Sequence, residues 1–166
     1  MRIKSLIYLV AALFLATACA ETMQDGGAGQ GSGGNQQASS SVKPGTGRDF
    51  VVNVGDRVFF EFDKSSLSSD ARGQLEKQAA WLKKFGSVSL TLEGHADERG
   101  TREYNLALGE RRANSAKDFL VALGIAPNRI RVISYGKERP AALGQNEAAW
   151  RQNRRAVTIV AGGSGS

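Results

Sequence analysis

The chain reads as an α+β protein of order βαβαββ. This is an α/β sandwich whose mixed sheet of about four strands carries two main helices on one side. Three observations predict it. Val88, Leu90 and Leu92 alternate with Ser89, Thr91 and Glu93, the period of a half-buried strand. Two longer segments repeat apolar residues at helical spacing. Two short β-branched runs, Ile130-Arg131-Val132-Ile133 and Ala156-Val157-Thr158-Ile159-Val160, supply further strands.

In chain order, Val58-Phe59-Phe60-Glu61-Phe62 is aromatic and branched and reads as the first strand, ending at Asp63 and a Ser-rich turn. Ser69 or Asp70 can cap the first main helix, whose apolar stripe is Ala71, Leu75, Ala79 and Leu82; Lys83, Lys84 and Gly86 mark its end. The Val88–Leu92 strand follows and delivers the chain into a glycine-bounded loop. The second main helix is expected to begin near Arg102 and to bury Leu106, Gly109, Ala113, Ala116, Leu120 and Leu123. Between the last two strands lies a Gly- and Pro-punctuated crossing with a short helix near Glu147 to Arg151.

The N-terminus sets the compartment. Arg2 and Lys4 precede an apolar run from Leu6 to Leu15, followed by Ala16-Thr17-Ala18-Cys19. A positive start, a short apolar segment and small residues make a secretory signal over residues 1–18. Cys19 is the only cysteine, so no intrachain disulfide can form. Its placement after small residues marks it as a lipidation site. Residues 19–48 are rich in Gly, Ser, Gln, Asn and Ala and read as a flexible linker with a root-mean-square span of roughly 30 Å. Residues 49–161 then form one domain, and 162–166 a tail. The leader's two cations account for part of the net charge of +6, leaving +4 on the rest. With an export signal, that modest excess points to the anionic cell wall and away from nucleic acid.

The chemistry is concentrated in Gly94-His95-Ala96-Asp97-Glu98-Arg99-Gly100-Thr101 and the helix that follows, Arg102 to Ala113. Asn105, Leu108 and Arg112 fall at i, i+3 and i+7, one helix stripe facing back toward the loop that carries Asp97. A guanidinium suits a carboxylate and an Asp suits an ammonium, so the pair can hold a zwitterion. The same two residues can equally form a structural loop-to-helix salt bridge. Leu108 can serve as core packing and Asn105 as a helix-start residue, while Asp63 can be a turn residue or part of the pocket rim. His95, the only histidine, lacks the companions a metal site or a general base requires. Neighbouring loop carboxylates do not make a glycosidase pair, so an enzyme such as a wall hydrolase is the weaker reading.

This stretch, together with Phe60-Glu61-Phe62-Asp63, Ser134-Tyr135-Gly136-Lys137-Glu138-Arg139-Pro140 and Asn153-Arg154-Arg155-Ala156-Val157, resembles the OmpA-like peptidoglycan-binding domain family. The likeness runs from about Val58 to Val160. It implies the same sandwich, no catalysis and no cofactor or metal. The implied ligand is the diaminopimelate of the peptidoglycan stem peptide, with Arg112 on its carboxylate and Asp97 on its ammonium. Asp63, Arg99, Thr101, Asn105, Leu108 and His95 are the further ligand-binding candidates. The family also implies a lipid anchor on Cys19 in the inner leaflet of the outer membrane, since Ala20 is not the Asp of inner-membrane retention. The protein partners it implies are TolB and other members of the Tol system.

Overall fold

The computed structural model describes residues 42–161. The leader, Cys19, most of the linker and the tail 162–166 lie outside the described residues.

The folded chain opens with a short helix α1 (Gly47–Asp49), capped by the Thr46 side chain, and a π-helical turn Phe50–Val54. The linker reading ended at residue 48, yet Thr46 and Gly47 already belong to this element. Its anchor is Phe50, fully buried edge-on against Trp81, whose indole N–H donates to the Asp49 carboxylate at 2.9 Å. No periodicity announces so short a turn.

Strand β1 (Arg57–Phe59) is followed by helix α2 (Ser69–Lys84) and strand β2 (Leu90–His95). Helix α3 (Arg102–Ala122), strand β3 (Ile130–Gly136), helix α4 (Glu147–Asn153) and strand β4 (Arg155–Val160) complete the chain. The sheet order is β1-β4-β2-β3, with β2 and β3 parallel and the other two pairs antiparallel. This is the expected mixed sheet, with the expected short helix as α4.

Helices α2 and α3 close one core, joining Leu75, Leu82, Ala113 and Leu120 to Leu90, Leu92 and Ala156 from the strands. The first strand stops three residues short of the expected Phe62, because the chain turns away at Phe60 to form the loop that carries Asp63. The cap of α2 is Ser68, one residue before the expected pair, and its hydroxyl accepts from Ala71 N–H at 3.2 Å. Leu106 does not enter the core but stays 47% exposed, since it lies at the margin of the helix stripe beside β3, the edge of the sheet.

Gly94 and Gly109 set the depth at which α3 sits on β2. A Cβ on Gly94 would lie 1.8 Å from the Gly109 carbonyl oxygen, so the two backbones touch with no room for a side chain. That contact fixes the start of α3 over the C-terminal end of β2, where the candidate site forms.

Candidate functional site

Three segments converge at that end: the loop 60–64 after β1, the loop 96–101 after β2, and the first turns of α3. They enclose a cavity of about 180 Å³ lined by Phe62, Asp63, Asp97, Arg99, Gly100, Tyr104, Asn105, Leu108 and Arg112. The i, i+3, i+7 stripe of Asn105, Leu108 and Arg112 thus does face the Asp97 loop. Thr101 and His95 are not in the lining. Phe62, Tyr104 and Gly100 are, and sequence reasoning had not singled them out.

The loop 96–101 is held from several directions. Ala96 N–H donates to Gly136 C=O at 2.8 Å, and Lys137 Nζ donates to Gly100 C=O at 2.7 Å. Asn105 Nδ2 donates to Arg99 C=O at 2.8 Å. Gly100 turns with φ 93°, a conformation that favours glycine. Thr101 is the N-cap of α3, its hydroxyl accepting from Tyr104 N–H at 3.2 Å. On the opposite rim Asp63 takes a left-handed φ of 56°, tolerated by Asp, and its carboxylate accepts the Tyr104 hydroxyl.

Asp97 and Arg112 are both buried, 4% and 0% exposed. No salt bridge joins them among the described residues. Arg112 is bonded to backbone instead, donating to Lys64 C=O at 2.9 Å, His95 C=O at 2.8 Å and Glu61 C=O at 3.1 Å. Burial pulls its pKa down to about 10, with Asp97 opposing, so it stays charged at neutral pH. Asp97 accepts from Arg99 N–H and Nε at 3.2 Å, from Arg99 Nη2 at 2.6 Å and from Arg154 Nη1 at 3.3 Å. Burial pushes its pKa up, but these guanidinium and backbone donors outweigh it and hold the carboxyl below its usual range.

Arg154 and Arg155 do not face water. Arg154 bridges Asp97, Glu147 and Phe60 C=O, and Arg155 reaches Asn153 C=O and Arg139 C=O. Together with Trp150, whose indole N–H donates to Glu98 at 3.2 Å, they tie α4 and the start of β4 to the site. No spacing rule links residues so far apart in sequence.

The His95 ring is 1% exposed and stacks on Tyr135 at 5.7 Å; neither ring nitrogen has a hydrogen-bond partner among the described residues. Only its backbone carbonyl serves the site. Burial first, then the charges of Arg155 and Arg139, lower its pKa from 6.5 to about 4, while Glu93 stands 3.7 Å from Nε2. The unfolded chain therefore takes up a proton near pH 6.5 that the folded protein refuses until about pH 4. Stability is complete above 6.5 and declines as pH falls through that window, by about 3 kcal/mol at most. Melting curves between pH 7 and 4.5 should fall less steeply in His95→Gln than in wild type. Equal slopes would rule this account out.

The OmpA family profile matches residues 59–154. A peptidoglycan-associated lipoprotein of Rhizobium meliloti is 50% identical over 162 residues, 97% of this chain and 89% of that protein. Its counterpart in Brucella melitensis is 55% identical over 124 residues, covering 75% of this chain and 74% of the relative. The crystal structure of the peptidoglycan-associated lipoprotein from Burkholderia pseudomallei superposes with a TM-score of 0.62 at 40% identity, over 64% of this chain and 90% of that one. The C-terminal domain of Helicobacter pylori MotB shares the fold alone, at 22% identity and a TM-score of 0.61, over 66% of this chain and 86% of that one. With its profile match, its relatives and its superposition in agreement, this chain belongs to the OmpA family, alongside the peptidoglycan-associated lipoproteins of these bacteria.

Proposed function

We propose that this protein is a non-catalytic tether, anchored by a lipidated Cys19 in the outer membrane and holding peptidoglycan by the diaminopimelate of its stem peptide. The observation that carries the reading is the charge of the small cavity. Two carboxylates, Asp63 and Asp97, and two guanidiniums, Arg99 and Arg112, border a space of about 180 Å³ with Phe62 and Tyr104 as apolar walls. That volume admits the end of one side chain, and opposed charges at such short range select an end bearing both an ammonium and a carboxylate. Diaminopimelate offers that end. The names of the relatives support peptidoglycan as the partner, and the polar chemistry of the cavity supports this part of it as the ligand. His95 is buried and neutral and Asp97 is already engaged by the Arg99 and Arg154 guanidiniums, so neither is poised as an acid or base for hydrolysis. The protein partners proposed are TolB and other Tol-system proteins.

Co-sedimentation with purified walls tests this. Lysine keeps the ammonium but lacks the distal carboxylate, and so forgoes a charge-assisted hydrogen bond worth roughly 1.5 to 3 kcal/mol. Diaminopimelate walls should therefore be bound about ten- to a hundredfold more tightly than lysine walls. Equal retention on both would remove the zwitterion reading, and retention on neither would remove wall binding.

A further inference from the structure

We propose that the end of the domain where the linker enters is a docking face for the bilayer that holds the anchor: Arg48, Lys83 and Lys84 meet anionic phospholipid headgroups, and Val51 and Val52 enter the interfacial layer. This rests on the lipid-anchor reading above and adds a second, weaker contact to it.

Three stretches of chain, 43–55, 81–90 and 122–131, meet at that end. Phe50 packs on Trp81, whose indole N–H donates to Asp49, and the Arg129 guanidinium donates to the carbonyls of Leu82, Phe85 and Val88. Together the three stretches hold six cations and one carboxylate, Asp49. That carboxylate is buried and accepts from Gly45 N–H, Asn53 and Trp81, so it offers no charge to the surface. Arg129 is spent on its carbonyls, whereas Lys43, Arg48, Lys83 and Lys84 stand exposed. The pocket end has the opposite balance, since residues 60–64 and 96–104 carry five carboxylates and three cations. An anionic surface is therefore met by the linker end and repelled by the other.

Val51 and Val52 are 50% and 62% exposed. They follow Phe50 in the π-helical turn, and that ring, seated against Trp81, fixes the turn that presents them. Apolar side chains turned to solvent beside exposed cations suit the boundary between headgroups and acyl chains.

Position supplies the occupant. A Cβ on Gly47 would lie 3.6 Å from the Val160 carbonyl oxygen, and Val160 pairs with Leu90, the first residue of β2. The pocket lies beyond the other end of that strand, roughly 17 Å along it. The described chain begins at residue 42, only 23 positions after Cys19. A Gly-rich coil of that length spans roughly 25 Å, so docking of the linker end is an intramolecular event and weak attraction suffices. Each Lys or Arg close to an anionic surface favours the docked state roughly fivefold. Docked this way, the domain turns its pocket away from the membrane and toward the wall.

The experiment uses the lipidated full-length protein in vesicles of phosphatidylcholine alone or of equal parts phosphatidylcholine and phosphatidylglycerol. An environment-sensitive fluorophore is placed on Val52→Cys or, as a reference, on Ala107→Cys, an exposed position near the start of α3. In the mixed vesicles the label at 52 should shift to shorter wavelength, high salt should reverse the shift, and the label at 107 should not respond. The triple variant Arg48→Gln/Lys83→Gln/Lys84→Gln should lower the docked-to-free ratio about a hundredfold and abolish the shift, with melting curves to check its fold. Should it melt early, salt reversal and the comparison of vesicles in the otherwise unchanged chain decide alone. An unshifted label at 52, equal shifts at both labels, a shift that survives high salt, or an undiminished shift in a folded triple variant would each overturn the docking face. Flotation with the neutral vesicles reads the anchor separately. If the protein floats there and shows no shift in the mixed vesicles, only the docking face falls. If it does not float there, the anchor reading falls and takes this proposal with it.

Discussion

Arg112→Ala is expected to destabilise the domain by about 3 to 5 kcal/mol, the range found when one member of a buried, bonded charge arrangement is removed. Three carbonyls, of Glu61, Lys64 and His95, lose their donor at once, and the first two belong to the loop that closes the pocket. Each buried acceptor left unmade costs about 1 to 3 kcal/mol, and the cavity left by a large buried side chain adds to it. Marginal stability of about 5 to 15 kcal/mol makes that a large share of the whole. Denaturant titration reads the result, and a loss below about 1 kcal/mol would show that the carbonyls find other donors. Loss of wall binding in this variant would report a displaced loop as much as a missing contact. Asp97→Asn is the gentler companion, keeping the shape and removing the charge that orients Arg99.

Gly94→Ala should be at least as severe. The added methyl would meet the Gly109 carbonyl at 1.8 Å, and backbone on both sides leaves no flexible end to swing aside. Overpacking ordinarily costs about 1 to 3 kcal/mol, and a clash between a strand and a helix backbone belongs at or beyond the top of that range. The same shift would lift α3 from β2 and separate Arg112 from the Asp97 loop, so binding should fail with stability. Gly73→Ala gives the contrast. It sits within α2 with nothing within 4 Å of its added Cβ, and it should stabilise by about 0.5 to 1 kcal/mol through helix propensity. Thermal melts of the two variants should therefore move in opposite directions. If Gly94→Ala melts within a degree or two of wild type, the close approach is not what seats the helix.

The strands and helices were legible because each buries one face, and a half-buried element must repeat its apolar residues at its own period. Leu90 and Leu92 on β2, and Leu75, Ala79 and Leu82 on α2, sit in the core as that rule requires. Leu106 satisfies the same rule and stays exposed, because periodicity tells which residues share a face but not where a sheet ends. The stripe of Asn105, Leu108 and Arg112 was legible on the same ground, and so was its direction toward Asp97.

What the sequence by itself determined is therefore local: the order of elements, the helix face that looks at the loop, the export signal with its cysteine, and the residue types fit for a zwitterion. What only the tertiary structure decided is who meets whom. Arg99 lies between Phe62 and Trp150, residues 37 positions before it and 51 after it, and Arg154 crosses 57 positions to reach Asp97. Charge is a property of a residue, whereas access to that charge is a property of its neighbours. Arg112 and Arg99 carry the same guanidinium, and only packing leaves one locked on backbone carbonyls and the other facing the pocket.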